Sequence, residues 1–330
     1  MNKRKKQIIS LLLALSLVLG LAGCTGNQAE NNIDYNQVLT EASTALLTQA
    51  PETGYGSVGG EWLVFGMARW ESETVDEAWY EAYYETIEAH VKACKGVLDA
   101  RKYTEYSRVI LALTAIGKNP TDVAGYNLIE PLANFEGTIF QGINGPAYAL
   151  IALDSGNYEI PKIKGDGTQA TREMYVDYLL SKEASGGGWS LSGSGVADAD
   201  ATAIVLQALA RYQSSEDVQA AVERGVEVLA GLQNDDGSYT SYEVSSSESI
   251  AQVIVALTEL GIDITDSRFV KDGKTLADRL MEFRAKDGGF KHTLDGESDM
   301  MATEQAFYAL VGLNRVAQGM SSLFCITPIV

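Results

Sequence analysis

Asp198 and Asp200 stand one residue apart in the stretch GGGWSLSGSGVADADATAIVLQALA, between a glycine-rich turn carrying Trp189 and an apolar run. Such a pair suits three kinds of work. A carboxylic acid kept neutral by a neighbouring carboxylate can protonate a substrate, with Asp200 as donor and Asp198 as its neighbour. An aspartate just ahead of an apolar helix also caps it, accepting an orphan amide hydrogen for about 0.5–2 kcal/mol. Thirdly, the two can stand on the rim of a binding cavity. Glu248 and Glu304 open two further apolar runs in the same manner, so a carboxylate pair across a cleft, as glycan cleavage requires, is another option. His90 and His292 are the only histidines, and neither has a cysteine at ligand spacing. Both read as surface residues, and no metal site is expected.

The elements that position these residues repeat. GGWSLSGSGVADADATAIVLQAL, DGSYTSYEVSSSESIAQVIVAL and GGFKHTLDGESDMMATEQAFYAL share a turn, an aromatic (Trp189, Tyr239, Phe290), a polar stretch and an apolar helix ending in Ala-Leu. Between such segments lie two-faced helices; in VQAAVERGVEVLAGL the apolar face is Val218, Val222, Gly225, Val226, Leu229 and Leu232. Amphipathic helices belong outside and apolar helices inside, which predicts concentric rings. The pairs run 35–49 with 58–70, 75–99 with 104–116, 122–133 with 145–153, 169–182 with 200–211, 216–232 with 248–260, and 273–284 with 301–317. The fold expected is all-α: an α/α toroid of six inner and six outer helices over residues 35–318. Its inner helices bring their N-terminal ends to one mouth. The rim expected there is Asp198, Asp200, Glu248, Gln252, Glu304 and Gln305, with Trp189, Tyr239 and Phe290 from the preceding turns.

Residues 1–23 read as a signal peptide, with Lys3, Arg4, Lys5 and Lys6 ahead of the short apolar run Ile8–Leu21. Leu21-Ala22-Gly23-Cys24 resembles the cleavage site of a bacterial lipoprotein. That resemblance implies acylation of Cys24, a polar tether over 24–34, and an extracytoplasmic, lipid-anchored chain whose contact with the membrane is the Cys24 lipid. Cleavage removes four cations and no acid, so the net charge of −19 falls to −23. Nucleic acid is a poor partner for such a surface. Cys94 lies on the apolar stripe of one helix and reads as a small buried hydrophobe, and a bridge from it to Cys325 stays open. Residues 319–330 form an apolar tail of unassigned role.

The Gly-Gly-aromatic turn followed by Asp-x-Asp-x-Thr-Ala resembles the prenyltransferase and squalene-oxidase repeat of terpenoid cyclase-like toroids. NGPAYALIALDSGNYEIP, SESIAQVIVALTELGID and MATEQAFYALVGLNR are similar to secreted bacterial proteins whose toroid matches the helical domain of transcobalamin and intrinsic factor. The resemblance implies a binding module rather than an enzyme, holding a bulky amphipathic ligand such as a corrinoid, with a separate β-rich domain protein to complete the grip. Ala201 stands where the acid motif of class II cyclases carries a further carboxylate. The alternatives are a class II terpene cyclase or prenyltransferase-like enzyme acting on an isoprenoid, with Asp200 as its acid, and a protein-interaction module at the cell surface.

Overall fold

The computed structural model of the chain describes residues 33–71, 74–191, 195–241 and 243–326; the leader, Cys24 and nearly all of the tether lie outside them. The described residues form an all-α ring. Its inner helices are α2 (Trp62–Trp70), α4 (Thr104–Ala115), α6 (Asn144–Ser155), α8 (Ala199–Leu209), α10 (Ser247–Leu260) and α12 (Met300–Ala317). Its outer helices are α1 (Tyr35–Gln49), α3 (Glu77–Ala93), α5 (Phe135–Ile139), α7 (Arg172–Ser181), α9 (Glu216–Leu232) and α11 (Leu276–Met281). Each inner helix packs against the next, and α12 closes on α2. Since α1 lies on α12, the first outer helix seals the last inner one. Two ribbons of two residues per strand, Thr240–Ser241 with Val244–Ser245 and Phe290–Lys291 with Ser298–Asp299, decorate the turns ahead of α10 and α12.

Composition sorts the two rings. Helix α8 buries ten of its eleven residues and α10 buries Ser247 through Thr258 without a break, as a helix apolar on all sides must. Helix α9 buries only one face, from Val218 to Leu229. Starts are set by side-chain caps: Asp34, Asp76, Asn134, Thr171, Asp198, Ser246, Thr275 and Asp299 each accept the amide hydrogen three residues on.

The third outer segment departs from expectation. Instead of a helix over 122–133 there is a turn bridging Val123 and Tyr126, a 3-10 turn at Glu130–Ala133 and the five-residue α5. Pro120, Gly125 and Pro131 explain it, since proline withholds an amide hydrogen and glycine favours a turn. Helix α3 stops at Ala93 rather than reaching 99, because Lys95 and Gly96 adopt left-handed conformations. Cys94 is therefore the half-buried cap of α3 rather than a core residue, and both it and Cys325 are free thiols.

The tail is part of the fold. Residues Ser321–Ile326 cross the far end of the ring, burying Leu323, Phe324 and Ile326 and stacking Phe324 on Phe65 at 5.6 Å. Arg69 donates to the carbonyls of Ser322, Leu323 and Cys325, and Arg315 holds Ser321. Burial, and then the neighbouring Arg315, lower the Arg69 guanidinium to about 10. No helix among the described residues is long and apolar enough to cross a membrane.

Candidate functional site

The N-terminal turns of the inner helices converge on a mouth, and the repeat register determines what faces it. Measured back from the alanine of each Ala-Leu pair, the inward positions lie eight, four and one residues earlier, the spacing of one helical face. They carry Thr104 and Arg108 on α4, Gln141 and Tyr148 around α6, Asp200, Ile204 and Gln207 on α8, Glu248 and Gln252 on α10, and Met301, Gln305 and Tyr308 on α12. Asp200, Ile204, Glu248, Gln252, Met301, Gln305 and Tyr148 line one recess of about 430 Å³, completed by Ser241, Val244, Ser246, Ser249 and His292. A smaller one, about 180 Å³, lies across Tyr148 and is lined by Trp62, Thr104, Arg108, Gln141 and Asn144 with Ser57. Trp62 fills the space between them, its ring 5.9 Å from Tyr148 and 5.7 Å from Tyr308.

Polar groups in the larger recess form a defined network. Gln207 donates to the Gln252 carbonyl and side-chain oxygens, both at 3.0 Å. Gln252 donates in turn to Gln305 at 2.9 Å and to the Tyr308 hydroxyl at 2.5 Å. On the opposite side, His292 Nδ1 lies 2.8 and 3.0 Å from the two oxygens of Glu248. The loop carrying His292 is stitched to α10 by the Ser247 amide on the His292 carbonyl and the Ser247 hydroxyl on the Lys291 carbonyl. Asp200 Oδ1 is buried and unpartnered. Burial first, then Asp200, push the Tyr148 phenol up to about 12, so it is a hydroxyl donor at neutral pH.

Of the nine residues expected on the rim, the recess brings together Asp200, Glu248, Gln252 and Gln305. Asp198 is spent as the α8 cap, accepting from the Ala201 amide at 2.8 Å. Trp189, Tyr239 and Phe290 are fully buried away from the mouth. They are wedges between the rings: Trp189 donates its indole hydrogen to the Leu179 carbonyl and packs where a side chain on Gly225 of α9 would collide with it. The Thr of the repeat clasps the aromatic's backbone, since the Thr202 hydroxyl accepts from the Trp189 amide at 3.0 Å and Thr303 accepts from the Phe290 amide at 2.9 Å. Glu304 points to the connection leading into α2, accepting from the Gly59 amide at 2.7 Å. Burial, helped by Glu61 and Asp299, pushes its carboxyl up to about 8.

Sequence reasoning missed His292, Tyr148 and Tyr308. The signal for His292 was the register: it stands two residues after Phe290, as Ser241 stands two after Tyr239, and both reach the recess. His90 instead stacks on Tyr55 at 3.9 Å, remote from that network. Among the described residues no group of side chains is arranged to hold a metal ion.

Ring and mouth together define an α/α toroid with a polar recess at the N-terminal ends of its inner helices. No family model and no curated protein matches the chain. Solved structures similar to it include protein geranylgeranyltransferase-I of Candida albicans complexed with GGPP (TM-score 0.59, 12% identity, covering 90% of this chain and 96% of that one). An unsaturated glucuronyl hydrolase from Bacillus sp. GL1, responsible for the degradation of glycosaminoglycan, gives 0.55 at 12% identity, with 88% and 98% covered. A type II terpene cyclase from Scytonema in complex with merosterolic acid A gives 0.51 at 15% identity, with 84% and 97% covered. At such identities the likeness establishes the terpenoid cyclase-like toroid and nothing about chemistry.

Proposed function

We propose that the chain is a ligand-capture module, held outside the cytoplasm through Cys24, whose mouth takes the donor-bearing edge of a bulky amphipathic molecule. The observation that carries this reading is the composition of the larger recess: hydrogen-bond acceptors on Asp200, Glu248 and Gln305 interleaved with Ile204, Val244 and Met301. A few directed polar groups on an apolar-edged hollow are the usual makings of a small-molecule site. A corrinoid fits that description by chemistry, because its ring is ringed by amide arms that donate N–H groups. Being larger than the recess, it would seat one edge there and leave the rest to a second, β-rich partner.

An isoprenoid enzyme is the second reading, and Glu304 is what favours it. A carboxyl held neutral at pH 7 is what a proton-donating acid requires. Glu304, however, is bonded to Gly59 rather than open to the recess, and Trp62, Tyr148 and Tyr308 occupy the centre where a long apolar chain would lie. The test is an equilibrium titration of the compact unit that begins at Ile33 and holds the whole ring, with cobalamin, cobinamide and geranylgeranyl diphosphate in parallel. Saturable corrinoid binding, weakened at least tenfold by Asp200→Asn, is expected. Turnover of the isoprenoid that Glu304→Gln abolishes, with no corrinoid bound, would replace capture by catalysis.

A further inference from the structure

Each of the six connections leading from an outer to an inner helix carries an exposed large apolar side chain: Val58, Val97, Phe140, Val196, Val244 and Leu294 in turn. Among the described residues, none of the five connections running the other way does. Val316 and Met320 are exposed at the opposite end, where the tail crosses. Exposed apolar residues scattered singly need no explanation, but one on every connection of the same kind does. All six sit on connections that lead into the N-terminal ends of inner helices, and one of them, Val244, lines the larger recess. That recess is lined by Asp200 and Glu248 and by no lysine or arginine; His292, also in the lining, already sits on Glu248 at 2.8 Å, which leaves Asp200 as the unengaged acid. The nearest cation beyond Tyr148, Arg108, is already neutralised by Glu61 at 2.6 Å and Glu105 at 2.6 Å. On the connections themselves, Arg101 is stacked over Phe140 at 4.3 Å and Lys291 is bonded to the Leu294 carbonyl at 3.0 Å.

We infer that the mouth face docks a protein segment that places a lysine or arginine side chain in the recess and lays apolar flanking residues on the exposed side chains of these connections. Charge complementarity selects this occupant. The unpartnered Asp200 Oδ1 takes an N–H donor, and the acid-lined floor favours an ammonium or guanidinium over a neutral donor. A second copy of the chain is a poor occupant, because its net charge of −19 opposes self-association. An anionic lipid surface is repelled for the same reason. This inference goes beyond small-ligand capture but uses the same recess, so a docked side chain and a corrinoid edge would exclude each other there; the peptide and the corrinoid are separate probes, and the failure of one leaves the other to be read on its own.

The experiment uses an acetylated and amidated nonapeptide with one central lysine between leucine and phenylalanine flanks, and the same peptide with norleucine in place of the lysine. Binding to the unit from Ile33 is followed by fluorescence anisotropy. Saturable binding of the lysine peptide is expected, at least tenfold tighter than the norleucine peptide. Asp200→Asn and Glu248→Gln should each narrow that difference, whereas Val196→Ser with Leu294→Ser should weaken both peptides alike. Circular dichroism checks that all variants keep the fold. Equal binding of the two peptides, indifference to Asp200→Asn and Glu248→Gln, or partition onto neutral phosphatidylcholine vesicles in place of peptide binding would each overturn the proposal.

Discussion

Glu304 illustrates how far the position of one carboxyl in a ring can move its proton. Its folded pKa of about 8 lies above the ordinary 4.5, so between those values the native state keeps a proton that the unfolded chain releases. Stability therefore falls as pH rises through that window, and the loss is complete above it. Glu304→Gln keeps an oxygen for the Gly59 amide and removes the titration. Relative to the parent, the variant should gain about 2–4 kcal/mol between pH 5 and pH 8, measured by urea unfolding; a difference independent of pH would contradict the assignment. The threonine clasp is tested by Thr303→Val, which leaves the buried Phe290 amide without its acceptor. A loss of about 1–2 kcal/mol is expected with the mouth chemistry unchanged, readable as a shift in melting temperature. At this scale the sequence was legible where the register spoke. Asp200, Glu248, Gln252 and Gln305 follow from counting back along the repeats. Trp189, Tyr239 and Phe290 did not, because an aromatic after a glycine turn looks the same whether it wedges two helices or faces a ligand.

At the scale of elements, the tail has the largest consequence. Arg69 is buried and donates to backbone carbonyls and the Ser321 hydroxyl of the tail, while Glu259 accepts from Ser322 Oγ at 2.8 Å and from the Phe324 amide at 3.0 Å. Truncation before Ser321 would strip partners from both charges and uncover Leu323 and Phe324. A loss of at least about 3 kcal/mol is expected by chemical denaturation; a truncated chain as stable as the parent would show the tail to be an appendage. Nothing in SLFCITPIV foretold this, since the arginine that holds it lies some 250 residues earlier, at Arg69. Inner helices were the most readable elements: their C-terminal ends fall within two residues of expectation, although α2 starts at Trp62 rather than 58 because Val58, Gly59 and Gly60 take non-helical conformations. Outer helices were read less well where proline and glycine broke the pattern, as between Pro120 and Pro131, because a short turn and a short helix share the same apolar residues.

For the whole molecule, closure is what turns six repeats into a site. Each inner helix contributes one face to a common mouth only because α12 meets α2, and α1 seals that joint. Concentric rings read from the alternation of two-faced and all-apolar helices therefore also said where the N-terminal ends of the inner helices gather, though the contents of the mouth depended on loops such as that of His292. Everything proposed for the molecule depends on this mouth binding through its acceptors. The most direct test is isothermal titration of cobinamide into the unit from Ile33, run side by side with Gln252→Leu, which removes the amide joining Gln207, Gln305 and Tyr308. Saturable binding by the parent, lost in Gln252→Leu at an unchanged unfolding cooperativity, is the result predicted. Binding that survives Gln252→Leu undiminished would put the ligand elsewhere and contradict the account.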